Sequence, residues 1–189
     1  MLNNRTKIAG LTLSAAALVA LIASESYTDK AIIPTKNDRP TVGFGSTFRD
    51  DGTPVQLGDT ITPPKAIKRT FEHIQKSESK LKQCVTGELS QVEYDLLIDF
   101  AYQYGDVATC KSSMVKSINQ GQYVQACHAY TDYKYLTSSA PTAGWTPYKF
   151  NAEGKPIKWR FDCSKTGNRV CSGVWKRQFE RRDKCLTAQ

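Results

Sequence analysis

The sequence has few of the residues that build metal sites. Its only two histidines, His73 and His128, stand far apart, and no two of its six cysteines form a Cys-x-x-Cys pair. Structural zinc sites use four cysteine and histidine ligands at short, regular spacings. We therefore expect no bound metal, and no other cofactor is expected.

Internal repeats, low-complexity tracts and a recognisable nucleic-acid reading motif are also lacking. The 189 residues are 40% apolar and 23% charged, which is typical of a globular chain rather than a disordered one. This length suits one ordinary domain preceded by an N-terminal segment. A nucleic acid is therefore not the expected partner.

Acidic residues are scarce towards the C-terminus. Between Lys155 and Lys184 there are ten Lys and Arg residues and only three acids, within a chain of net charge +8. Such a surface suits a polyanionic partner, such as nucleic acid, anionic lipid or a bacterial envelope. Charge alone equally fits a surface that is only solvated by water and binds no such partner.

The even number of cysteines, after an N-terminus of the kind found on exported proteins, predicts three disulfides. Cys163 and Cys171 flank the segment "SKTGNRV", whose Gly167 and Asn168 can reverse the chain, and we expect these two to pair. The other four can pair in three ways, and this reasoning does not choose among them; they are Cys84, Cys110, Cys127 and Cys185.

Charge is absent from Ile8 to Ser24, a run of 17 residues that follows Arg5 and Lys7. A helix of that length reaches roughly 26 Å, which is marginal for a hydrocarbon core of about 30 Å. The basic residues would stay in the cytoplasm and place everything after Glu25 outside it.

This segment fits neither a cleaved signal peptide nor a permanent anchor well. Cuts after Ala20, Ala23 or Ser24 would all put a large residue at the −3 position, where signal peptidase prefers a small one. Glycine, threonine, serine and several alanines dilute the apolar content. A third interpretation is a weak span that can leave the membrane and join the fold.

The remaining chain predicts an α+β fold. Short extended pieces with Gly43 and Gly45 predict a small β-hairpin or three-stranded sheet over 31–48. A helix should run from Thr62 to Cys84 with Ile67, Phe71, Ile74 and Leu81 on one face, and a second from Thr86 or Ser90 to Gly105. The rest of the predicted fold consists of shorter helices at 113–119 and 123–133, a loop-rich insert over 137–172 and a basic helix at 173–186. A cleft is expected between the sheet and the helical remainder.

Glu25 is the candidate for acid chemistry. Glycosidic bond cleavage needs an acid at the leaving oxygen and a second group that manages the anomeric carbon or its attacking water. A glutamate at the C-terminal end of an apolar helix suits the acid, because low dielectric and the helix terminus both disfavour negative charge. Polar candidates for the second group follow it; they are Asp29, Thr35, Asp38 and Thr41.

The order of motifs after Glu25 resembles the phage-type lysozymes of glycoside hydrolase family 24. These motifs are "PTVGFGST", "DGTPVQLGDTITPPKA" and "LSQVEYDLLIDFAYQYG". More narrowly, the chain is similar to signal-arrest-release endolysins, from about Leu11 to Leu186. The resemblance implies a lysozyme-like fold and pairing of the cysteines in "ACHAY" and "ERRDKCL", which are Cys127 and Cys185. The 137–172 insert is its least familiar part.

The family signature is Glu, eight residues, Asp or Cys, five residues and Thr. Glu25 matches the acid and Thr41 the threonine, but the position separated from Thr41 by five residues holds Thr35, with nine residues between it and Glu25. Two interpretations of the second catalytic position remain open. Asp38 could supply the carboxylate, or Thr35 and Thr41 could hold a water while Glu25 does all the acid and base work.

The resemblance also gives the N-terminal segment a role. Residues 1–24 would first export and tether the enzyme in the host inner membrane, and then leave the bilayer as the first helix of a catalytic domain formed by 25–189. The released enzyme would act in the periplasm as a monomer. No cysteine precedes Cys84, which favours control by topology and loss of membrane potential over thiol exchange.

The expected activity is muramidase: hydrolysis of the β-1,4 bond between N-acetylmuramic acid and N-acetylglucosamine in peptidoglycan glycan strands, leading to host lysis. One alternative is a lytic transglycosylase that uses Glu25 alone. Another is an inactive envelope-binding module that keeps the fold.

Overall fold

The structure is a computed structural model that describes residues 4–34, 39–141 and 143–189. The chain forms two compact units that meet in sequence at residues 112 and 113. Seven α-helices and several short strands lie in the described ranges, so the predicted α+β class is confirmed. Thr35 and Asp38, both proposed for the second catalytic position, lie outside those ranges.

The first unit holds two short antiparallel strand pairs and four helices. β1 pairs with β4, and β2 pairs with β3. The elements are β1 (Thr6–Lys7), a 3-10 turn (Ile8–Gly10), α1 (Ala15–Ser24), β2 (Thr28–Ile32), β3 (Thr41–Gly43), α2 (Pro63–Cys84), β4 (Glu88–Leu89), α3 (Gln91–Tyr104) and α4 (Asp106–Cys110). The predicted hairpin is therefore present, and an isolated bridge from Lys30 to Thr60 adds a third chain segment beside β2.

The uncharged N-terminal run is not one continuous helix. α1 begins only after Ser14, whose hydroxyl accepts a hydrogen bond from the Ala17 amide at 3.1 Å and caps the first turn. Its ten residues extend about 15 Å. No helix of the described ranges is both long and apolar enough to cross a membrane.

α2 and α3 have the predicted bounds, but the buried face of α2 differs from the predicted one. Ile74 and Leu81 are buried as expected, whereas Ile67 and Phe71 are 44% and 46% exposed. The inward positions are instead taken by Ala66, Thr70 and Ser77. At Ala66 a small side chain is needed because the hairpin comes close: a Cβ placed on Gly43 would lie only 3.0 Å from the Ala66 Cβ.

Ser90, rather than Thr86, caps the start of α3. Ser90 accepts a hydrogen bond from the Glu93 amide, and the Glu93 carboxylate accepts one from the Ser90 amide at 2.8 Å. This reciprocal capping box fixes the helix start. Gly105 ends the helix with a φ of +83°, a conformation that favours glycine.

The second unit contains three helices and a three-stranded antiparallel sheet in the order β5-β7-β6. Its elements are α5 (Ser113–Asn119), α6 (Tyr123–Ala129), a 3-10 turn (Tyr130–Asp132), β5 (Tyr135–Ser138), β6 (Thr146–Phe150), β7 (Pro156–Asp162) and α7 (Ser172–Thr187). The predicted loop-rich insert over 137–172 is loop in more than half of its residues, but it also holds β6, β7 and the end of β5, which were not predicted from the sequence. Glycine and proline lie within or beside its turns, and they hid the strand pattern.

Three disulfides join the six cysteines. Cys163 pairs with Cys171 across the predicted turn. The Cys84–Cys110 disulfide joins the end of α2 to the end of α4. The Cys127–Cys185 disulfide joins α6 to α7. The last pair is the one that the family resemblance implies.

Candidate active site

Glu25 lies immediately after α1 and is half-buried. Its amide donates to the carbonyls of Leu21 and Ile22, at 3.2 and 3.3 Å, and so continues the helix hydrogen bonding into the first non-helical residue. Ile22 packs against an apolar cluster made by the hairpin and α2, namely Ala31, Val42, Phe44, Val55, Ile61 and Ala66. The end of the helix is therefore held on the hairpin.

Tyr27 secures the chain on the other side of Glu25. Its ring packs 5.4 Å from the ring of Phe44, and its hydroxyl donates to the Ile61 carbonyl at 2.7 Å. Anchors two or three residues away on both sides restrict where the Glu25 side chain can point.

The Glu25 carboxylate lies against the turn that follows β3. A Cβ built on Gly45 would be 3.7 Å from the Glu25 Oε2 atom. Gly43 and Gly45 have φ values of +68° and +78°, which L side chains rarely adopt. The glycine spacing of "PTVGFGST" therefore shapes the turn and leaves open space beside the carboxylate.

Two hydrogen bonds close this turn, and a third fixes it to α3. Val42 and Ser46 exchange backbone hydrogen bonds of 3.0 Å each. The Tyr102 hydroxyl donates to the Phe44 carbonyl at 2.6 Å. Tyr102 was not among the predicted site residues, because its partner lies 58 positions away and no local pattern links the two.

Thr41 belongs to the same hairpin. It lies opposite Ile32 in the ladder, while Gly43 lies opposite Thr28, close to the Glu25 end. Since Val42 points into the apolar cluster and side chains alternate along a strand, Thr41 faces away from that cluster. It is half-buried. The catalytic roles of Glu25, Thr41, Thr35 and Asp38 stay predictions.

A cavity of about 370 Å³ lies beside the turn. Residues 45–50 form one side of it, and the others come from α2, with Arg69, Glu72 and His73, and from the end of α3, with Tyr102. Its charged lining includes carboxylates and cations, which suits a polar ligand rather than an apolar one. This cavity is the cleft into which the hairpin turn opens.

His73 contributes an aromatic edge to this cleft. Its ring contacts Tyr102 edge-on, with centroids 5.4 Å apart. Desolvation by the surrounding protein atoms lowers the pKa of His73, with Lys76 and Lys80 adding to the effect and Asp106 opposing it. The neutral imidazole is therefore favoured in the fold.

Two ion pairs hold the loop that connects β3 to α2. Arg49 donates to both carboxylate oxygens of Asp59, at 2.7 and 2.8 Å, and Arg69 donates to Asp50 at 2.6 Å. The Arg49 guanidinium, together with the Gln56 amide, lowers the pKa of Asp59 to about 2. Both pairs cross between chain segments, so composition alone did not reveal them.

The segment that leads to α1 is attached by carboxylates from α2 and α3. Glu78 accepts a hydrogen bond from the Leu13 amide at 2.7 Å, and Asp95 accepts from both the amide and the hydroxyl of Ser14, at 3.0 and 2.6 Å. Acidic groups at the start of a helix also interact favourably with its dipole. The helix that precedes Glu25 is thus held at both of its ends.

The sequence is similar to those of known endolysins. The sequence is 32% identical over 95 residues to the endolysin of Salmonella phage P22, covering 50% of this chain and 65% of the relative, and 23% identical over 149 residues to the endolysin of Bacillus phage B103, covering 79% of this chain and 44% of the relative. The chain therefore spans just under two thirds and under half of the lengths of these two curated relatives.

Solved structures agree on the fold. The endolysin from Escherichia coli O157:H7 phage FAHEc1 superposes with a TM-score of 0.70 at 22% identity, covering 95% of this chain and 96% of that one. The predicted lysozyme-like fold is thereby confirmed. The profile described as "Phage lysozyme" matches residues 22–145, a span that begins just before Glu25 and includes both glycines of the turn. The chain belongs to the phage lysozyme family.

Proposed function

We propose that the protein is an endolysin that hydrolyses peptidoglycan for host cell lysis, as a muramidase acting on the β-1,4 bond between N-acetylmuramic acid and N-acetylglucosamine. The observation that carries the proposal is the placement of the Glu25 carboxylate against the Gly45 turn, within the range matched by the family profile. The names of the endolysin relatives support the same activity.

In the proposed mechanism the glycan lies in the cleft beside Gly45. Glu25 donates its proton to the glycosidic oxygen as the bond to the anomeric carbon breaks. Thr41, on the neighbouring strand, orients the group that manages the anomeric carbon. That group is either the carboxylate of Asp38 or a water held by Thr35 and Thr41.

Replacement of the acid tests the catalytic proposal. We expect Glu25→Gln to lower the rate of clearing of purified peptidoglycan by about 100-fold or more, because general acid catalysis contributes about that much. Glu88→Gln is the matched control, since Glu88 is exposed at β4 in the same unit. Equal clearing by wild type and Glu25→Gln would overturn the assignment of Glu25. No clearing by either would favour an inactive binding module.

The bond chemistry needs a separate test, because Thr35 stands where the family signature has Asp or Cys. Mass spectrometry of digested peptidoglycan should find reducing muramic acid ends, each carrying one added water. Anhydro-muramic ends would show the alternative, a lytic transglycosylase in which Glu25 works alone.

We also propose that residues 1–24 are a signal-arrest-release segment that tethers the enzyme to the host inner membrane before its release, as a monomer, to the periplasm. The support is the surface of α1, which is apolar yet mostly exposed. Only Leu21 is buried among its residues, and Val19 is 66% exposed. Burial in the fold does not account for these apolar positions, whereas an earlier location in lipid does.

Added apolarity on the exposed face of α1 should trap the tethered form. We expect Ala16→Leu/Ala20→Leu to keep the protein in the membrane fraction and to prevent lysis after depolarisation, because leucine raises the free energy of leaving lipid. Both alanines are exposed, so the released fold should tolerate the change. Ala16→Ser/Ala20→Ser is the control and should release readily. Lysis on schedule by the leucine variant would contradict the proposal.

A further inference from the structure

The β5-β7-β6 sheet exposes both of its faces. Among the described residues from Tyr135 to Asp162 none is buried, and Tyr148 and Phe150 are 37% and 52% exposed. Antiparallel sheets normally cover one face with a core. The sheet is attached at its base, where the Cys163 amide donates to the Lys134 carbonyl and Cys163 is disulfide-bonded to Cys171.

Aromatic rings and cations alternate on this sheet. The Arg160 guanidinium lies 4.4 Å from the ring centre of Tyr135 and 5.7 Å from that of Tyr148. Lys165 lies 5.7 Å from the ring centre of Phe161, which in turn packs 5.9 Å from Trp145. Cation–π contacts of this kind hold a cation in place while part of it stays open to a ligand.

The sheet and its connections are strongly basic. Residues 134–170 contain seven Lys and Arg residues and two acids, a net charge of +5. One of the acids, Asp162, is within 3.2 Å of Lys134. The other, Glu153, lies in the β6–β7 connection. A concavity of about 190 Å³ opens between Tyr135, Thr146 and Arg160.

We propose that this sheet is a second binding surface for peptidoglycan, which holds a glycan strand by its sugar faces and by the carboxylates of its peptide stems. Exposed rings offer apolar faces for the sugars, and the neighbouring cations pair with the carboxylates. The inference rests on the proposed function for the identity of the polymer. β6 and β7 begin after residue 145, where the match to the family profile ends, so two of the three strands lie outside the matched region.

Interleaved rings favour a glycan strand over an anionic lipid surface. Lipid binding by basic segments depends on charge and on an apolar face that inserts, whereas here the rings on one face are spaced between cations. Binding to a glycan should therefore need both the rings and the cations. Binding to vesicles should need mainly the cations.

Co-sedimentation with insoluble peptidoglycan sacculi tests the proposal, using full-length protein that carries Glu25→Gln so that the polymer is not consumed. In that background we expect Lys158→Gln/Arg160→Gln, and separately Tyr148→Ser, to weaken binding by about tenfold. The matched control Lys176→Gln/Lys184→Gln removes two exposed charges from α7 and should bind nearly as the parent does. Circular dichroism confirms that each variant is folded.

Each outcome decides the proposal separately from the catalytic one. Unchanged sacculus binding in the sheet variants overturns it, and so does an equal loss in the α7 control, which would show a general charge effect. A loss seen only with phosphatidylglycerol vesicles would assign the sheet to lipid instead. In the active enzyme, which keeps Glu25, the sheet variants should raise KM for sacculi and leave kcat nearly unchanged. An inactive wild type with intact sheet binding would refute the catalytic proposal alone.

Discussion

Arg5 donates hydrogen bonds to both carboxylate oxygens of Glu93. Its Nε atom lies 3.2 and 3.0 Å from them, and its Nη2 atom lies 2.8 Å from Oε1. Glu93 is only 4% exposed and also completes the capping box of α3. One buried carboxylate thus joins the start of α3 to the chain that leads into the helix before Glu25.

Arg5→Lys should loosen this attachment while keeping the positive charge. An ammonium group cannot reproduce the paired geometry of the guanidinium, and a hydrogen bond to a charged group contributes about 1.5–3 kcal/mol. We expect the free energy of unfolding to fall by about 1–2 kcal/mol, with a decrease in Tm of roughly 2–4 °C for each kcal/mol. Thermal unfolding measures it. Lys7→Arg, at an exposed position, is the control and should leave Tm unchanged.

Gly45→Ala should lower activity through the position of the Glu25 carboxylate. The new methyl group would lie 3.7 Å from Oε2, at a backbone φ of +78°. That distance is an ordinary contact, so the effect arises from the backbone conformation, which L side chains rarely adopt and which must relax by moving the turn against the carboxylate. A displacement of about 1 Å can cost up to roughly 100-fold in rate. Gly52→Ala is the matched control, because Gly52 has a φ of +82° and no neighbouring atom within 4 Å of the added carbon. Equal rates for Gly45→Ala and Gly52→Ala would contradict the prediction that the Gly45 turn positions the carboxylate.

The Arg49–Asp59 pair should make stability depend on pH under acidic conditions. The pKa of Asp59 falls from its usual 3.8 to about 2 on folding, chiefly because of the Arg49 guanidinium. The unfolded chain therefore binds the proton first as the pH falls, and stability declines with decreasing pH between about 4 and 2. Above that window the stabilisation is fully present.

Asp59→Asn removes this titration. We expect its Tm to lie below that of wild type at pH 6 and the difference to shrink as the pH approaches 2. Arg49→Gln breaks the pair from the other side and should converge in the same way. A difference in Tm that stays constant across this range would exclude Asp59 as its source.

The disulfides should contribute to stability in the order of the loops that they close. The separations are 58 residues for Cys127–Cys185 and 8 for Cys163–Cys171. Loop entropy predicts losses of about 4 and 2.5 kcal/mol when each pair is replaced by alanine. Denaturant unfolding of the two double variants measures the difference. The reverse order would show that native contacts, rather than unfolded-chain entropy, dominate.

Local patterns predicted the helices of the first unit well. Ser90 and Gly105 mark the ends of α3 by chemistry that acts within four residues, and Thr62 with two prolines marks the start of α2. The inward face of α2 was predicted less well. Ala66 faces inward, where the approach of Gly43 leaves no room for a larger side chain, while Ile67 and Phe71 are exposed.

The sheet of the second unit escaped prediction for a different reason. β7 does alternate apolar and polar residues from Ile157 to Asp162, but β5 and β6 are short and turns with glycine and proline separate the strands, so the segment was interpreted as loop. The exposure of the sheet is the basis for proposing it as a binding surface.

The amino-acid sequence sufficed to predict the family pattern, the cysteine pair around the Gly167 turn and the placement of Glu25 directly after an apolar helix. These are contiguous features, and short-range chemistry suffices to read them. The folded chain was needed to find that the Glu25 carboxylate lies against Gly45 and that Tyr102 holds the turn. It was also needed to find that Glu78, Glu93 and Asp95 hold the N-terminal segment. Those contacts join residues from 20 to 88 positions apart, and packing rather than local preference brings such residues together.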